Sequence, residues 1–231
     1  MLPTLLAWSS GKDSALALHH LRYDTQYQVV TLLSTITADY DRISMHGVRR
    51  ILVEQQAEAL GLPLEVMMIS KNASNEEYET QMEATLRRYQ ARGVNAIAFG
   101  DIFLEDVRQY RQNNLAKLGV LGLFPLWQKD SSELVRSFIA LGFKAVIACV
   151  DTQVLDAHFA GRIIDETLLT ELPEGVDACG ENGEFHSFVF DGPIFKKPVQ
   201  FTFGERVLRD ERFAYIDLLP SDYSSIKVQA G

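Results

Sequence analysis

Apolar residues along this chain come in short runs that alternate with stretches of helical period. Leu5-Leu6-Ala7-Trp8 is apolar and closed by a glycine-bearing loop, as a buried strand is; Val29-Val30-Thr31-Leu32-Leu33 is a second, β-branched run. Between them, Leu18 and Leu21 stand three apart and predict a helix over 14–22. Val53, Ala57 and Leu60 share one face of a helix predicted over 49–60, which Gly61 and Pro63 close. A strand over 64–69, a polar helix over 75–92 ending at Gly93, a strand over 94–99 and a helix over about 104–118 complete the series. This βα repetition predicts a mostly parallel sheet with helices on both faces. Ligands of such sheets lie beyond the carboxyl ends of the strands, so the loops at 8–14, 34–48 and 100–103 form the predicted site.

From Pro125-Leu126-Trp127 onward the texture changes. Asp130 is placed to cap a helix with Glu133 three residues on, and Leu134, Val135, Phe138 and Ile139 form its apolar stripe. Residues 144–150 read as a strand. Beyond about residue 173 the chain is punctuated by glycine and rich in β signals, with Val199-Gln200-Phe201-Thr202-Phe203 in strict alternation. The expected division is 1–127 as a nucleotide-side domain and 128–231 as a smaller α+β substrate-side domain, with no internal repeat.

A composition of 47% hydrophobic and 23% charged residues over 231 positions is that of a folded chain able to bury a full core. The net charge of −9 argues against nucleic acid as a stable partner. No run of about 18 apolar residues is present, so no spanning helix is expected. Pro3, the lack of a basic leader and only two cysteines, Cys149 and Cys179, fit a reduced, cytoplasmic setting.

The chemistry concentrates in Trp8-Ser9-Ser10-Gly11-Lys12-Asp13-Ser14. The Walker pattern fails, because Leu6 stands where its first glycine belongs and Asp13 follows the lysine; Gly11 alone does not make the dinucleotide fingerprint. A strand–loop–helix of small residues nevertheless makes an anion cradle, with backbone N–H groups, the helix dipole, the Lys12 charge and the hydroxyls of Ser9, Ser10 and Ser14. Asp13 repels phosphate unless a cation intervenes, which points to Mg²⁺; the plainer alternative is that Asp13 caps the helix.

Four other places carry candidate chemistry. Gly100-Asp101 ends a predicted strand in the crevice, where Asp101 either meets ligand or caps the next helix. Arg111 interrupts the apolar stripe Leu104, Val107, Leu115, Leu118; it either reaches substrate or pairs with a carboxylate, and Asp101 and Arg108 are candidates to pair with each other. His46 lies in a loop, where a histidine is usually solvated, though this loop would overhang the nucleotide. Cys179-Gly180-Glu181-Asn182-Gly183-Glu184-Phe185-His186 is a tight acidic turn entering a strand, suited to cations, an amine or ammonia, or Mg²⁺. One Cys and one His at this spacing make a weak zinc or Cys–His signal.

Ser-Ser-Gly-Lys-Asp-Ser resembles the PP-loop Ser-Gly-Gly-Lys-Asp-Ser of the N-type ATP pyrophosphatases, with Ser10 in place of the first glycine. Together with the His46 loop, GDIFLEDVRQYR, the PLW at 125–127 and GENGEFHSFVFDGPIF, it resembles the diphthine–ammonia ligase family over nearly the whole chain. The resemblance implies a Rossmann-like, adenine nucleotide alpha hydrolase-like sheet. It also implies ATP as co-substrate, Mg²⁺ near Asp13, phosphates held by Ser9–Ser14, and catalytic roles for Lys12, Asp13, Glu181 and Glu184. His46, Gly100, Asp101 and Arg111 would line the nucleotide. The implied reaction adenylates a carboxylate, either protein-bound diphthine or a small molecule, and delivers ammonia to it; assembly into a homo-oligomer is compatible with this. Two rival functions sit on the same fold. A sulfurtransferase or tRNA-modifying enzyme is disfavoured by the absence of paired cysteines and by the acidic charge, and an adenine-nucleotide-binding protein without catalysis is kept open by Ser10.

Overall fold

A computed structural model describes residues 1–221. The first half is a doubly wound sheet. Strand β1 (Leu2–Ala7) leads through helix α1 (Lys12–Tyr23) to β2 (Tyr27–Thr37) beside it in parallel. A two-residue β3 (Arg42–Ile43) folds back on the end of β2, then α2 (Arg50–Leu60) and β4 (Leu64–Ile69) extend the sheet outward from β2. After α3 (Asn75–Gln90) the chain returns to the other side of β1 as β5 (Ala96–Ala98), followed by α4 (Glu105–Leu118) and β6 (Leu121–Leu123). The strand order reverses at β1, so the loops after β1 and β5 flank the switch point where such sheets open a crevice.

The second half supplies α5 (Ser131–Ala140), a short α6 (Glu166–Glu171), and an antiparallel sheet ordered β8-β7-β10-β9. Its strands are β7 (Lys144–Asp151), β8 (Phe185–Asp191), β9 (Phe201–Arg209) and β10 (Phe213–Pro220). Asp130 caps α5 as its spacing predicts, accepting the Glu133 N–H at 2.9 Å, and Gly61 ends α2 in the left-handed conformation at φ +69°. The alternating run at 199–203 proves to be only the start of β9, because Val199 lies before the ladder and bonds back to Phe190.

Helices α1 and α2 cover one face of the parallel sheet, and α3 and α4 cover the other. Leu5, Leu33, Met67, Leu86, Ile97 and Leu115 form the core under the α3–α4 face. The opposite face is continuous with the second half: Trp8, Leu16 and Leu18 join Phe138, the buried run of β7 and Phe188 in one cluster. Burying about 25 cal/mol per Å² of such apolar surface holds the antiparallel sheet against the β1 loop, so the second half builds part of the crevice wall.

Candidate functional site

Ser9–Ser14 sits at the switch point, with Ser10, Gly11, Lys12 and Ser14 buried, Asp13 half-buried and Ser9 exposed. Helix α1 starts at Lys12 with Gly11 as its N-cap and no side-chain cap, and Ser14 Oγ bonds the Gly11 carbonyl at 2.9 Å. Asp13 therefore does not cap the helix. Ser10 takes φ +67°, so serine holds here a left-handed backbone conformation that favours glycine. What keeps it there is a buried clamp. Its carbonyl accepts Val189 N from β8 at 2.9 Å and Gln56 Nε2 from α2 at 3.1 Å, while Gln56 also takes Trp8 Nε1 at 2.8 Å and gives its amide to the Val189 carbonyl. A left-handed non-glycine residue costs about 1 kcal/mol. Ser10→Gly is accordingly expected to raise the unfolding free energy by up to about 1 kcal/mol without loss of activity; a clear loss in denaturant titration would show that the Ser10 hydroxyl contributes more than its backbone strain.

Lys12 is almost wholly buried and held from three directions. Its ammonium donates to Asp13 Oδ2 at 2.9 Å and to the Cys179 carbonyl, and it lies 5.4 Å from the Phe185 ring centroid. Burial alone would lower its pKa, but Asp13, with Cys179 and Glu181 adding to it, raises it, so the side chain is a fixed cation. The backbone N–H of Lys12 donates to Ser187 Oγ at 3.1 Å, which ties β8 to the start of the helix. Asp13 Oδ1 faces no hydrogen-bond partner although it is buried.

Gly100 brings the β5 loop against this one. A Cβ at Gly100 would lie 2.9 Å from the Asp13 backbone carbon and 3.0 Å from the Ser14 nitrogen, so only glycine permits the approach. The acidic turn closes the third side. Glu181 accepts the Ile102 N–H at 2.8 Å, and its carboxyl is pushed up to about 7, first by burial and then by Asp13 and Asp101, against the Ile102 hydrogen bond. Glu184 plays a different part: one carboxylate oxygen accepts Asp177 N at 3.0 Å and Asn182 Nδ2 at 2.9 Å, pinning the turn, and the other is buried without a partner. Asp177 in turn takes the N–H groups of Cys179 and Glu181.

The remaining candidates are placed as follows. His46 is buried, 3% exposed, unlike most loop histidines, because β3 and the β10 residue Tyr215 hold its loop inward. Its Nε2 bonds the Ser9 carbonyl, so that nitrogen carries the hydrogen; burial, then His186, pushes its pKa down to about 3. His186, with its ring 6.2 Å away, is held neutral likewise. Asp101 pairs with Arg111 through two bonds of 2.7 and 3.2 Å, not with Arg108, whose guanidinium lies 4.3 Å from the Trp127 ring centroid. The α4 turn explains the choice: Arg111 projects back over Phe99 toward the end of β5, while Arg108 stacks on the aromatic rim. Helix α4 is N-capped by Leu104 without a side-chain bond, so Asp101 is no cap either.

Both thiols are pushed up to about 12 by burial, Cys179 Sγ donating to the Ser131 carbonyl, so neither is a thiolate nucleophile. Among the described residues no group of three or more His, Cys, Asp or Glu could hold a metal, and no helix is long and apolar enough to cross a membrane. Sequence reading missed Gln56, Ser187 and the Ile102 amide. Gln56 did leave a trace, as a polar side chain on the Val53–Ala57–Leu60 stripe; Ser187 and Ile102 left none.

Fold and loop together define an α/β protein of the doubly wound kind, whose switch-point crevice is completed by an appended antiparallel sheet. The chain belongs to the diphthamide synthase family: residues 3–121 match its N-terminal domain and residues 130–218 its C-terminal domain. Among curated proteins it is similar to the diphthine–ammonia ligase of Danio rerio, 28% identical over 91% of both chains. It is also similar to that of Homo sapiens, 28% identical over 87% of this chain and 83% of the other. The Mus musculus protein is 30% identical over 68% of this chain and 64% of its own.

Proposed function

We propose that the chain is an ATP-dependent, AMP-forming amide ligase acting on a diphthine-like carboxylate and ammonia. The observation that carries this reading is the meeting, at the switch point, of the Lys12–Asp13 loop with the Glu181 turn from the second half. One side suits a nucleotide and the other an ammonium ion, which becomes the nucleophile ammonia once it loses a proton. The substrate carboxylate oxygen bonds the α-phosphorus of ATP as the bond to pyrophosphate breaks; ammonia nitrogen then bonds the acyl carbon, AMP leaves, and nitrogen gives up a proton.

Lys12, rigidly held, offsets charge that builds on the departing pyrophosphate. Residues 9–14 cradle phosphate, and neutral His46 fixes the Ser9 carbonyl behind it. Gly100 sets the crevice width, and the Asp101–Arg111 pair fixes the far loop. Asp13 Oδ1, buried and unpartnered, fits Mg²⁺, which needs one or two protein carboxylates beside phosphate oxygens and water. When bound, the ion would neutralise phosphate charge. In this reading residues 1–127 form the nucleotide side and the chain from 128 onward the acyl side, of which 222–231 lie outside the described residues. The setting is cytoplasmic, and the substrate is protein-bound diphthine or a small carboxylate.

Glu181 is the group placed to take the ammonium proton, and Glu184 holds its turn. The test incubates the protein with ATP, Mg²⁺, ammonium and a diphthine-bearing acceptor, and separates nucleotides. AMP with pyrophosphate and an amide product supports the reading; ADP, or binding without turnover, overturns it. High thiolate pKa values count against sulfur transfer.

A separate test reads Glu181 alone. Its folded pKa is raised from the ordinary carboxylate value to about 7, so its protonated form stabilises the fold below the unfolded pKa. That stability is lost as pH rises through about 7. Relative to Glu181→Gln, the wild-type protein should lose about 1–2 kcal/mol between mildly acidic and mildly alkaline pH, allowing for partial exposure. A pH-independent difference in denaturant unfolding would refute the assignment.

A further inference from the structure

Among the described residues the antiparallel sheet has one free edge. Its other edge, β8, is bonded to the β1 loop through Val189 N and the Ser10 carbonyl, whereas the outer side of β9 meets no strand among the described residues. Proteins usually protect such edges, yet β9 leaves Phe203, Val207 and Leu208 53%, 39% and 58% exposed. One face of the strand carries Glu205, Val207 and Arg209 in succession, beside Tyr215 and over a cleft of about 700 Å³. Glu205 makes no ion pair among the described residues, and Arg209 rests on the rings of Tyr40 and Tyr215, 5.4 and 5.7 Å from their centroids.

We infer that β9 is a dimerisation strand that pairs antiparallel with β9 of a second copy of this chain, about a two-fold axis through Val207. The charges are self-complementary in that register. Val207 faces its own copy, Glu205 of each chain faces Arg209 of the other, and two charges that make no ion pair among the described residues find opposite partners. A register centred on Arg206 sets two guanidiniums face to face. One centred on Leu208 runs into the Asp210–Glu211 turn, where both residues have positive φ, and leaves Glu205 unmatched.

The ladder is also bounded. The register shift opposite Ile216 and Leu218 places a bulge in β9 at Gly204–Glu205, so the regularly paired segment is 206–209 and Glu205 stands at its end, as the last bulge residue. An isologous pair uses both free edges at once, so assembly stops at two copies rather than growing into a fibre. The result is one continuous sheet joining two antiparallel sheets, with the second copy's Glu205 brought over the Arg209 side of the cleft.

The test is the mass of the full chain in solution, by sedimentation or light scattering from micromolar to sub-millimolar concentration. The wild-type protein is expected to be a dimer. Val207→Lys places two ammonium groups on the axis and should yield monomer with an unchanged circular dichroism spectrum. Glu205→Arg should weaken dimerisation by about tenfold or more, and adding Arg209→Glu should restore it, because the swap keeps the pairs opposite. A wild-type monomer across that range overturns the inference. So does a dimer that persists in Val207→Lys, or a double swap no tighter than Glu205→Arg alone. None of these readings depends on ligase activity.

Discussion

Asp13→Asn is expected to slow pyrophosphate release from ATP by about 10²-fold or more while leaving the fold in place. The substitution keeps an oxygen within reach of Lys12, and that ammonium retains the Cys179 carbonyl, so unfolding free energy should fall by only about 1–2 kcal/mol. What disappears is the negative charge at Oδ1, the one buried carboxylate oxygen in the β1 loop that has no partner. If that oxygen holds the ion, the Mg²⁺ concentration needed for half-maximal rate must rise together with the loss of rate. Initial rates measured across a Mg²⁺ titration decide this. An unchanged rate with an unchanged Mg²⁺ dependence removes Asp13 from the mechanism.

Gln56→Leu is expected to produce the largest loss of stability. Gln56 is wholly buried and its amide joins three segments: it accepts from Trp8 Nε1 and donates to the carbonyls of Ser10 and Val189. Leucine fills nearly the same volume, so the change is not mainly one of packing. It strands the Trp8 indole N–H and the Val189 carbonyl in the interior, at about 1–3 kcal/mol each, for a total of about 3 kcal/mol. Because the same amide helps hold Ser10 in its left-handed conformation, turnover should fall as well. Chemical denaturation followed by circular dichroism measures the first effect; a loss below about 1 kcal/mol would mean that β8 and the β1 loop are joined by other contacts.

Much of the framework was legible in the sequence because it is local. The apolar runs of β1 and β2 identify buried parallel strands whatever lies beside them. The Asp130–Glu133 spacing and Gly61 mark helix ends through bonds that span only a few residues. The placing of Ser9–Ser14 between a strand and a helix belongs to the same class, since it follows from an apolar run, small residues and helical period in succession. The short strands β3 and β6 and the extent of β9 were not readable; two or three residues carry no period, and an exposed edge strand has no alternation imposed by a core.

The site divides along the same line. Residues 9–14, Gly100, Asp101 and the Glu181 turn stand out through their type and their place at strand ends. Their partners do not, because a hydrogen bond across 79 positions, such as Ile102 to Glu181, leaves no mark on either local pattern. Asp101 shows the difference within ten residues: sequence offers Arg108 as its partner, and only the pitch of α4 against Phe99 decides for Arg111.

By itself, then, the sequence determined the alternation of strands and helices and the residue types at the carboxyl ends of the strands, while the reversal of strand order at β1 came from the structure. Tertiary structure alone decided that Ser10 could stand where glycine is usual, since the strain at φ +67° is held by Gln56 and Val189 from distant elements. It also decided that His46 is buried and neutral, that Glu184 holds a turn while Glu181 lies near Asp13, and that β8 closes the loop after β1. Each of these depends on burial or on a partner far along the chain, and desolvation and long-range hydrogen bonds exist only once the chain is packed.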